Sequence, residues 1–463
     1  MVFPTVQFAV FFPIVLALSW ALMRRQNVWK PVMLAASYVF YAAANPLFCL
    51  LLAGVTLGNQ AAAKLIHRSD DAHVRKRIVG VAVALNLATL GVFKYYGFFT
   101  TEVNGLFERV GLGLPLPLAA IALPIGISFI IFQAISYSVD VYRGLLPPSK
   151  TIDVALFLSF FPQIVAGPIV RAHEFLPQLR TPRDPRRVAV GAGVALIVIG
   201  LVKKVAIADT LAREIVDPVF GVPQAYAAPD VWLATYAYAV QIFCDFSGYT
   251  DMAIGIALLM GFVFPQNFDR PYRSASFREF WRRWHITLSR FLRDYLYIPL
   301  GGNRGGRWRT ARNLMITMAL GGLWHGAAWG FVLWGVIHGT ALTVEHLFRG
   351  RVKMPAWFAW LLVFHIVVLA WIPFRAPDLG LAGAYLARLV EPGPATLWSV
   401  PVVLATFLVI ALQLLPARPL DALRVRFERL HPAALGASMA TVILLVAATV
   451  SSQGVPPFIY FQF

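Results

Sequence analysis

The chain is poor in charge. Only 13% of its 463 residues are Asp, Glu, Lys or Arg, against about 25% in an ordinary soluble domain. With 59% hydrophobic residues and a mean hydropathy of +0.69, this scarcity excludes disorder, collagen-like repeats and a water-soluble enzyme. Cysteine is nearly absent. Cys49 and Cys244 both lie in apolar stretches, so no disulfide framework can be built, and they read as small buried hydrophobes. Acids are scarce too: 22 Asp plus Glu face 40 Lys plus Arg, for a net charge of +18. A basic balance of that size fits either nucleic acid or a membrane surface. No nucleic-acid motif accompanies the basic residues, and no internal repeat or low-complexity linker is visible.

What the chain does have is apolar runs. They recur at residues 6–23, 31–57, 78–99, 117–137, 152–169, 188–209, 229–263, 313–341, 356–374, 397–415 and 434–452. A span takes about 20 such residues, so residues 1–463 read as one polytopic all-α membrane domain. Three runs exceed a single crossing and carry breakers: Asn45-Pro46, Phe246-Ser247-Gly248 and Gly321-Gly322. Broken helices persist in a bilayer only where protein or a water-filled cavity satisfies the freed backbone groups. The expectation is a bundle of about ten to twelve segments, some short or re-entrant, around a polar interior.

Charge sets a topology. Basic residues cluster between the runs, at Arg24, Arg25 and Lys30, at Arg75, Lys76 and Arg77, and at Arg180, Arg183, Arg186 and Arg187. The densest stretch, 270–312, holds eleven Arg against Glu279 and Asp294. This is the positive-inside pattern. The run Phe8–Leu22 is followed by Met23-Arg24-Arg25, not by a small-residue cleavage site, so it reads as a first span. Cytosolic arginines at 24–25 and at 418, 424, 426 and 429 put both termini outside, the tail Ser451–Phe463 included. An even number of crossings follows.

Ionisable groups inside spans are costly and are either functional or paired. His325 stands in Gly321-Gly322-Leu323-Trp324-His325-Gly326, 13 residues beyond Arg312. That is about 20 Å along a straight helix, near mid-membrane, where a neutral imidazole can accept a proton from a hydroxyl. His285 lies in Phe280-Trp281-Arg282-Arg283-Trp284-His285, a segment that otherwise reads as an amphipathic cytosolic helix. Asp245 shares a helical face with Gln241 and Gly248. A structural ion partner or a helix cap is the favoured role for it, ahead of direct chemistry. Lys203, Lys204 and Arg171 are expected at helix ends, snorkelling to headgroups. His338, His346 and His365 suggest no partner, and the nine histidines show no metal-ligand spacing, so no metal is expected.

Trp324-His325-Gly326, Phe280–His285, Cys244–Gly255 and Phe161-Pro162-Gln163-Ile164-Val165-Ala166-Gly167-Pro168-Ile169, in this order within a polytopic chain, resemble the membrane-bound O-acyltransferase superfamily. The likeness is to its bacterial polysaccharide branch and covers essentially the whole chain. It implies a central tunnel, with a thioester donor entering from the cytosol and an acceptor from outside. His325 matches the family's catalytic histidine. His285 and Trp324 would lie along the tunnel, His285 towards its cytosolic mouth, with Asp245 as a further tunnel or donor-side residue. No bound cofactor is implied; acetyl-CoA or another acyl thioester is the expected donor substrate.

The ending Phe458-Ile459-Tyr460-Phe461-Gln462-Phe463 resembles the F-x-Y-F-x-F tail of the alginate-type members, in which the tyrosine is proposed to carry the acyl group. A phenol of pKa about 10 makes an ester activated for onward transfer. An aromatic anchor at the interface is the competing role for Tyr460. The expected protein is a bacterial inner-membrane O-acetyltransferase. It would hand acetyl to an extracytoplasmic transferase or esterase-like partner that acts on a polysaccharide. Alginate is the first choice of polysaccharide, and peptidoglycan or another surface glycan the second. A transporter that makes no bond is the alternative class.

Overall fold

A computed structural model describes residues 3–449 except 113–114, 118–120, 165–166, 349, 352, 417–421 and 423–424. Every regular element among the described residues is helical. Six helices are long and apolar enough to cross a membrane, and four shorter apolar helices accompany them. Together they form a polytopic membrane protein. The chain divides into two compact units, Met1–Ala189 with Ile256–Phe264, and Val190–Gly255 with Pro265–Phe463.

In the first unit, α1 (Val6–Leu22) opens on Thr5, whose Oγ1 accepts from Phe8 N at 3.3 Å. It ends before Arg24, which pairs with Asp184 at 2.8 Å. The run 31–57 does divide at Asn45-Pro46: α2 (Gln26–Ala42) stops short of it and α3 (Phe48–Arg68) starts beyond. Proline cannot donate the hydrogen bond that would carry a helix through, and it disfavours helical geometry in the residue before it. Next come α4 (Ala72–Arg109), which runs through a π-turn at Gly91–Tyr95, and α5 (Ile127–Tyr142), which follows left-handed Gly126. A buried network joins Asn59, Asn86 and Ser138, and Tyr137 donates to Gln60 at 2.7 Å. The run 152–169 is no simple span. It forms α6 (Thr151–Ser159) and a single turn, Phe161–Ile164, and nine residues of helix cover only about 14 Å.

The second unit is built on α7 (Val190–Gly221) and α8 (Ala228–Leu259). Phe246-Ser247-Gly248 does not break α8, which runs unbroken for 32 residues. Gly248 is instead a contact residue: a Cβ there would strike the carbonyl oxygen of Gly200, and a Cβ at Gly200 that of Gly248. Backbones meeting this closely need glycine. Near this crossing α7 takes π-helical turns at Val202–Ala208 and Ala212–Val216. They turn Lys204 inward, where it is 2% exposed and bonds Asp209 and Asp245 at 2.7 Å each. Lys204 is therefore no snorkelling helix end. In hydrocarbon, two carboxylates attract it more than distant headgroups do. Arg171 is likewise buried. Cys244 is buried, but Cys49 only partly.

The rest of this unit comprises the short α9 (Phe277–Arg283) and α10 (Ile286–Leu292), then α11 (Arg307–His325), α12 (Trp329–Phe348), α13 (Ala356–Arg375), α14 (Leu379–Arg388), α15 (Val400–Leu414) and α16 (Pro432–Thr449). The expected break at Gly321-Gly322 is displaced. Both glycines stay helical, and Gly322 admits α12, whose Phe331 carbonyl and Gly335 would collide with any Cβ. The chain turns at residues 326–328, immediately after His325.

Candidate active site

The site is built on turns. Ser276 caps α9, its Oγ accepting from Glu279 N at 3.1 Å, while Glu279 accepts from Ala275 N at 3.1 Å. The helix ends at Trp284, and His285 adopts left-handed geometry at φ 41 and ψ 55. For a residue with a Cβ this costs about 1–2 kcal/mol. Asn267, in the preceding coil segment, compensates. Asn267 carbonyl oxygen accepts from Ile286 N at 2.9 Å, and its Oδ1 accepts from Thr287 N at 3.1 Å and from Thr287 Oγ1 at 2.9 Å.

This cluster assigns the His285 tautomer. The amide atom facing Thr287 N–H must be oxygen, because that N–H can only donate. His285 Nδ1 lies 3.2 Å from the same oxygen, so Nδ1 carries the proton and donates it. Nε2 is left with its lone pair. It finds no hydrogen-bond partner among the described residues, although the ring is fully buried. Phe246 meets the ring edge-on at 4.6 Å between centroids.

His325 is the last residue of α11 and is 3% exposed. Gly326 is extended, and a Cβ on it would run into the Phe331 ring. Trp324 and Trp334 lie 5.1 Å from the His325 ring and Phe374 5.3 Å from it. His285 lies 6.4 Å away and Trp324 6.1 Å from His285. Two imidazoles 40 positions apart in sequence thus meet in an aromatic box. His285 is a direct neighbour of His325.

Asp245 lies apart from this pair in its bonding. It belongs to the Lys204 cluster, while the next residue, Phe246, packs on His285. Asp251, the other carboxylate of the motif, bonds Lys203 at 2.7 Å. Tyr460 lies outside the described residues. Among the other histidines, His365 Nε2 lies 3.0 Å from Tyr236 Oη. His338 is fully buried against Phe280, Trp281 and Trp334. Asn267 and Trp334 were invisible as site residues in the sequence. Asn267 stands alone in a coil segment, and Trp334 looks like any apolar helix residue.

The same unit holds a cavity of about 790 Å³. Its lining includes exposed Arg282, Arg290 and Arg293, which mark its rim, half-buried Arg278 and Leu314, and buried Met318. Neither His285 nor His325 lines it, but Ile286 does, and Met318 is two helical turns before His325.

A polytopic helical protein that keeps two imidazoles in its dry interior, one of them with an open acceptor nitrogen, is equipped for proton transfer at a bond-making step. Residues 49–372 match the model of MBOAT, the membrane-bound O-acyltransferase family, and the chain belongs to that family. It is 39% identical to the probable alginate O-acetylase of Pseudomonas putida, with 98% of each chain covered. The protein of the same description from Pseudomonas aeruginosa is 44% identical over 80% of this chain and 71% of its own. The peptidoglycan O-acetyltransferase of Helicobacter pylori is 38% identical over 77% and 72%. The chain is a multi-pass membrane O-acyltransferase.

Proposed function

We propose that this protein moves acetyl groups from a cytosolic thioester to the outer face of the bacterial inner membrane for O-acetylation of alginate. The observation that carries the reading is the buried His285–His325 pair, 6.4 Å apart, at the end of the helix that also walls the arginine-rimmed cavity. The names of the two Pseudomonas relatives favour alginate. The Helicobacter relative favours peptidoglycan as the second acceptor.

In this reading acetyl-CoA docks at the cavity. The rim arginines suit its phosphates, because guanidinium groups bond phosphate oxygens in pairs. His325 accepts the proton of the attacking hydroxyl, the phenol of Tyr460 in the carrier version. The oxygen attacks the thioester carbonyl and a C–O bond forms. The C–S bond then breaks, and the thiolate recovers the proton from the imidazolium. His285, its Nδ1–H held by Asn267, offers Nε2 as a second acceptor beside the reacting centre. The acyl ester on Tyr460 next passes to an extracytoplasmic transferase or esterase-like partner, which delivers it to a glycan hydroxyl. Both termini outside the cytosol and a tunnel through a single domain, residues 1–463, complete the proposal.

The test is labelled acetyl transfer from acetyl-CoA by wild type, His325→Ala and Tyr460→Phe. Undiminished transfer by His325→Ala removes the base. Normal product from Tyr460→Phe removes the carrier step and leaves the anchor role.

A further inference from the structure

α11 and α12 run antiparallel and in backbone contact, and each presents one stripe to the same region. On α11, Thr310, Leu314 and Met318 line the cavity, and His325 lies two turns further along. On α12, His346 and Leu342 line it. The next steps of four along that helix face are His338 and then Trp334. The two stripes converge, since Trp334 lies 5.1 Å from His325. Between the cavity and His325 the two stripes are packed on one another, and Trp281, which lines the cavity, joins that packing: its ring meets His338 at 5.1 Å and Trp334 at 5.6 Å.

The packed stretch is polar in an unusual way. His338 is fully buried, and neither of its ring nitrogens has a hydrogen-bond partner among the described residues. The same holds for the indole nitrogens of Trp281 and Trp334. Each such group is costly when buried unsatisfied. Three neighbouring side chains bearing that cost, on a line between a cavity and a base, are accounted for by a ligand that satisfies them. The chemistry of the set is specific. Two indole N–H groups and one imidazole N–H donate, and one imidazole nitrogen accepts. Carbonyl oxygens with an occasional N–H are the complement, as on the amide-bearing arm of an acyl thioester.

The geometry points to His338 as a donor-binding residue: with Trp281 and Trp334 it takes the amide arm of the thioester as Trp281 swings aside, delivering the acyl carbon to His325. This rests on the cytosolic-thioester reading above. His338 makes no bond to the acyl group and moves no proton in the reaction.

The test is thiol release from acetyl-CoA by the full-length chain in membranes, with KM and kcat measured separately. His338→Phe keeps the ring and removes both nitrogens, and Trp281→Phe removes one N–H. The expected result is a KM for acetyl-CoA raised about tenfold by His338→Phe and severalfold by Trp281→Phe, with kcat within about threefold. His338→Asn, which restores a donor and an acceptor, recovers at least half of the loss. An unchanged KM in both Phe variants overturns the proposal. So does a fall in kcat at constant KM that follows the loss of folded protein on gel filtration. If the wild type itself releases no thiol, the donor reading fails, and this assignment falls with it.

Discussion

The second unit buries polarity in two places that invite comparison. At the α7–α8 crossing, Lys204 is held by Asp209 and Asp245, and Lys203 by Asp251. At the α11 terminus, His285 and His325 share an aromatic box in which His285 Nε2 keeps its lone pair uncommitted. Charge in a dry interior must be neutralised where it stands. An imidazole can stay neutral and wait. In the proposed reading, the saturated cluster is scaffold and the open nitrogen serves chemistry. Six variants, taken in order of expected effect, test that contrast.

The largest effect belongs to His325→Ala. Loss of a general base typically costs about 10²–10⁴ in rate, and acetyl transfer should fall by that much while the melting temperature in detergent barely moves. Lys204→Met should do the opposite. It leaves two carboxylates buried without their cation, at a cost of about 3–5 kcal/mol. It should appear as a large drop in Tm, with the remaining folded protein still active. Asp245→Asn keeps a one-to-one Lys204–Asp209 pair, so its cost should stay near about 1–2 kcal/mol. If these two variants destabilise equally, or if Lys204→Met abolishes turnover per folded molecule, the cluster is not scaffold.

Asn267→Ala probes the border between the two kinds of site. It frees the His285 tautomer, and transfer should slow at least about tenfold, more than its effect on stability accounts for. Arg290→Ala should be milder. Arg290 is exposed on the cavity rim, so KM for acetyl-CoA should rise about threefold, and less at high salt, with kcat unchanged.

The smallest effect concerns the first unit. Asp140 lies 2.7 Å from His173 Nδ1 and raises its pKa above the ordinary imidazole value. The folded pKa exceeds the unfolded value of about 6.5. The pair's stabilisation is therefore complete below that value and is lost as pH rises through the folded one. Asp140→Asn should flatten the dependence of Tm on pH from just below neutrality upward. An unchanged profile would remove His173 as its source.

These contrasts mark what could be read in advance. The apolar runs, the helical class and the break at Asn45-Pro46 were legible, because hydropathy and proline act locally. The glycines were misleading. Gly248 and Gly322 looked like breakers and are contact points between helices, and nothing in a single run says whether a neighbour will come that close. Lys204 looked like a helix end, since its carboxylates are separated from it along the chain and reach it only through the π-turns. His325 and His285 were visible as polar residues in apolar surroundings, but their mutual distance was not.

Composition and hydropathy suffice to make this a polytopic helical membrane protein with a histidine, His325, inside an apolar run. Burying hydrophobic helices in lipid needs only local composition. Which polar groups are cancelled and which are left available follows from how the helices pack. Pairing across a helix interface depends on which faces meet, and backbone contact between α7 and α8 and between α11 and α12 sets those faces.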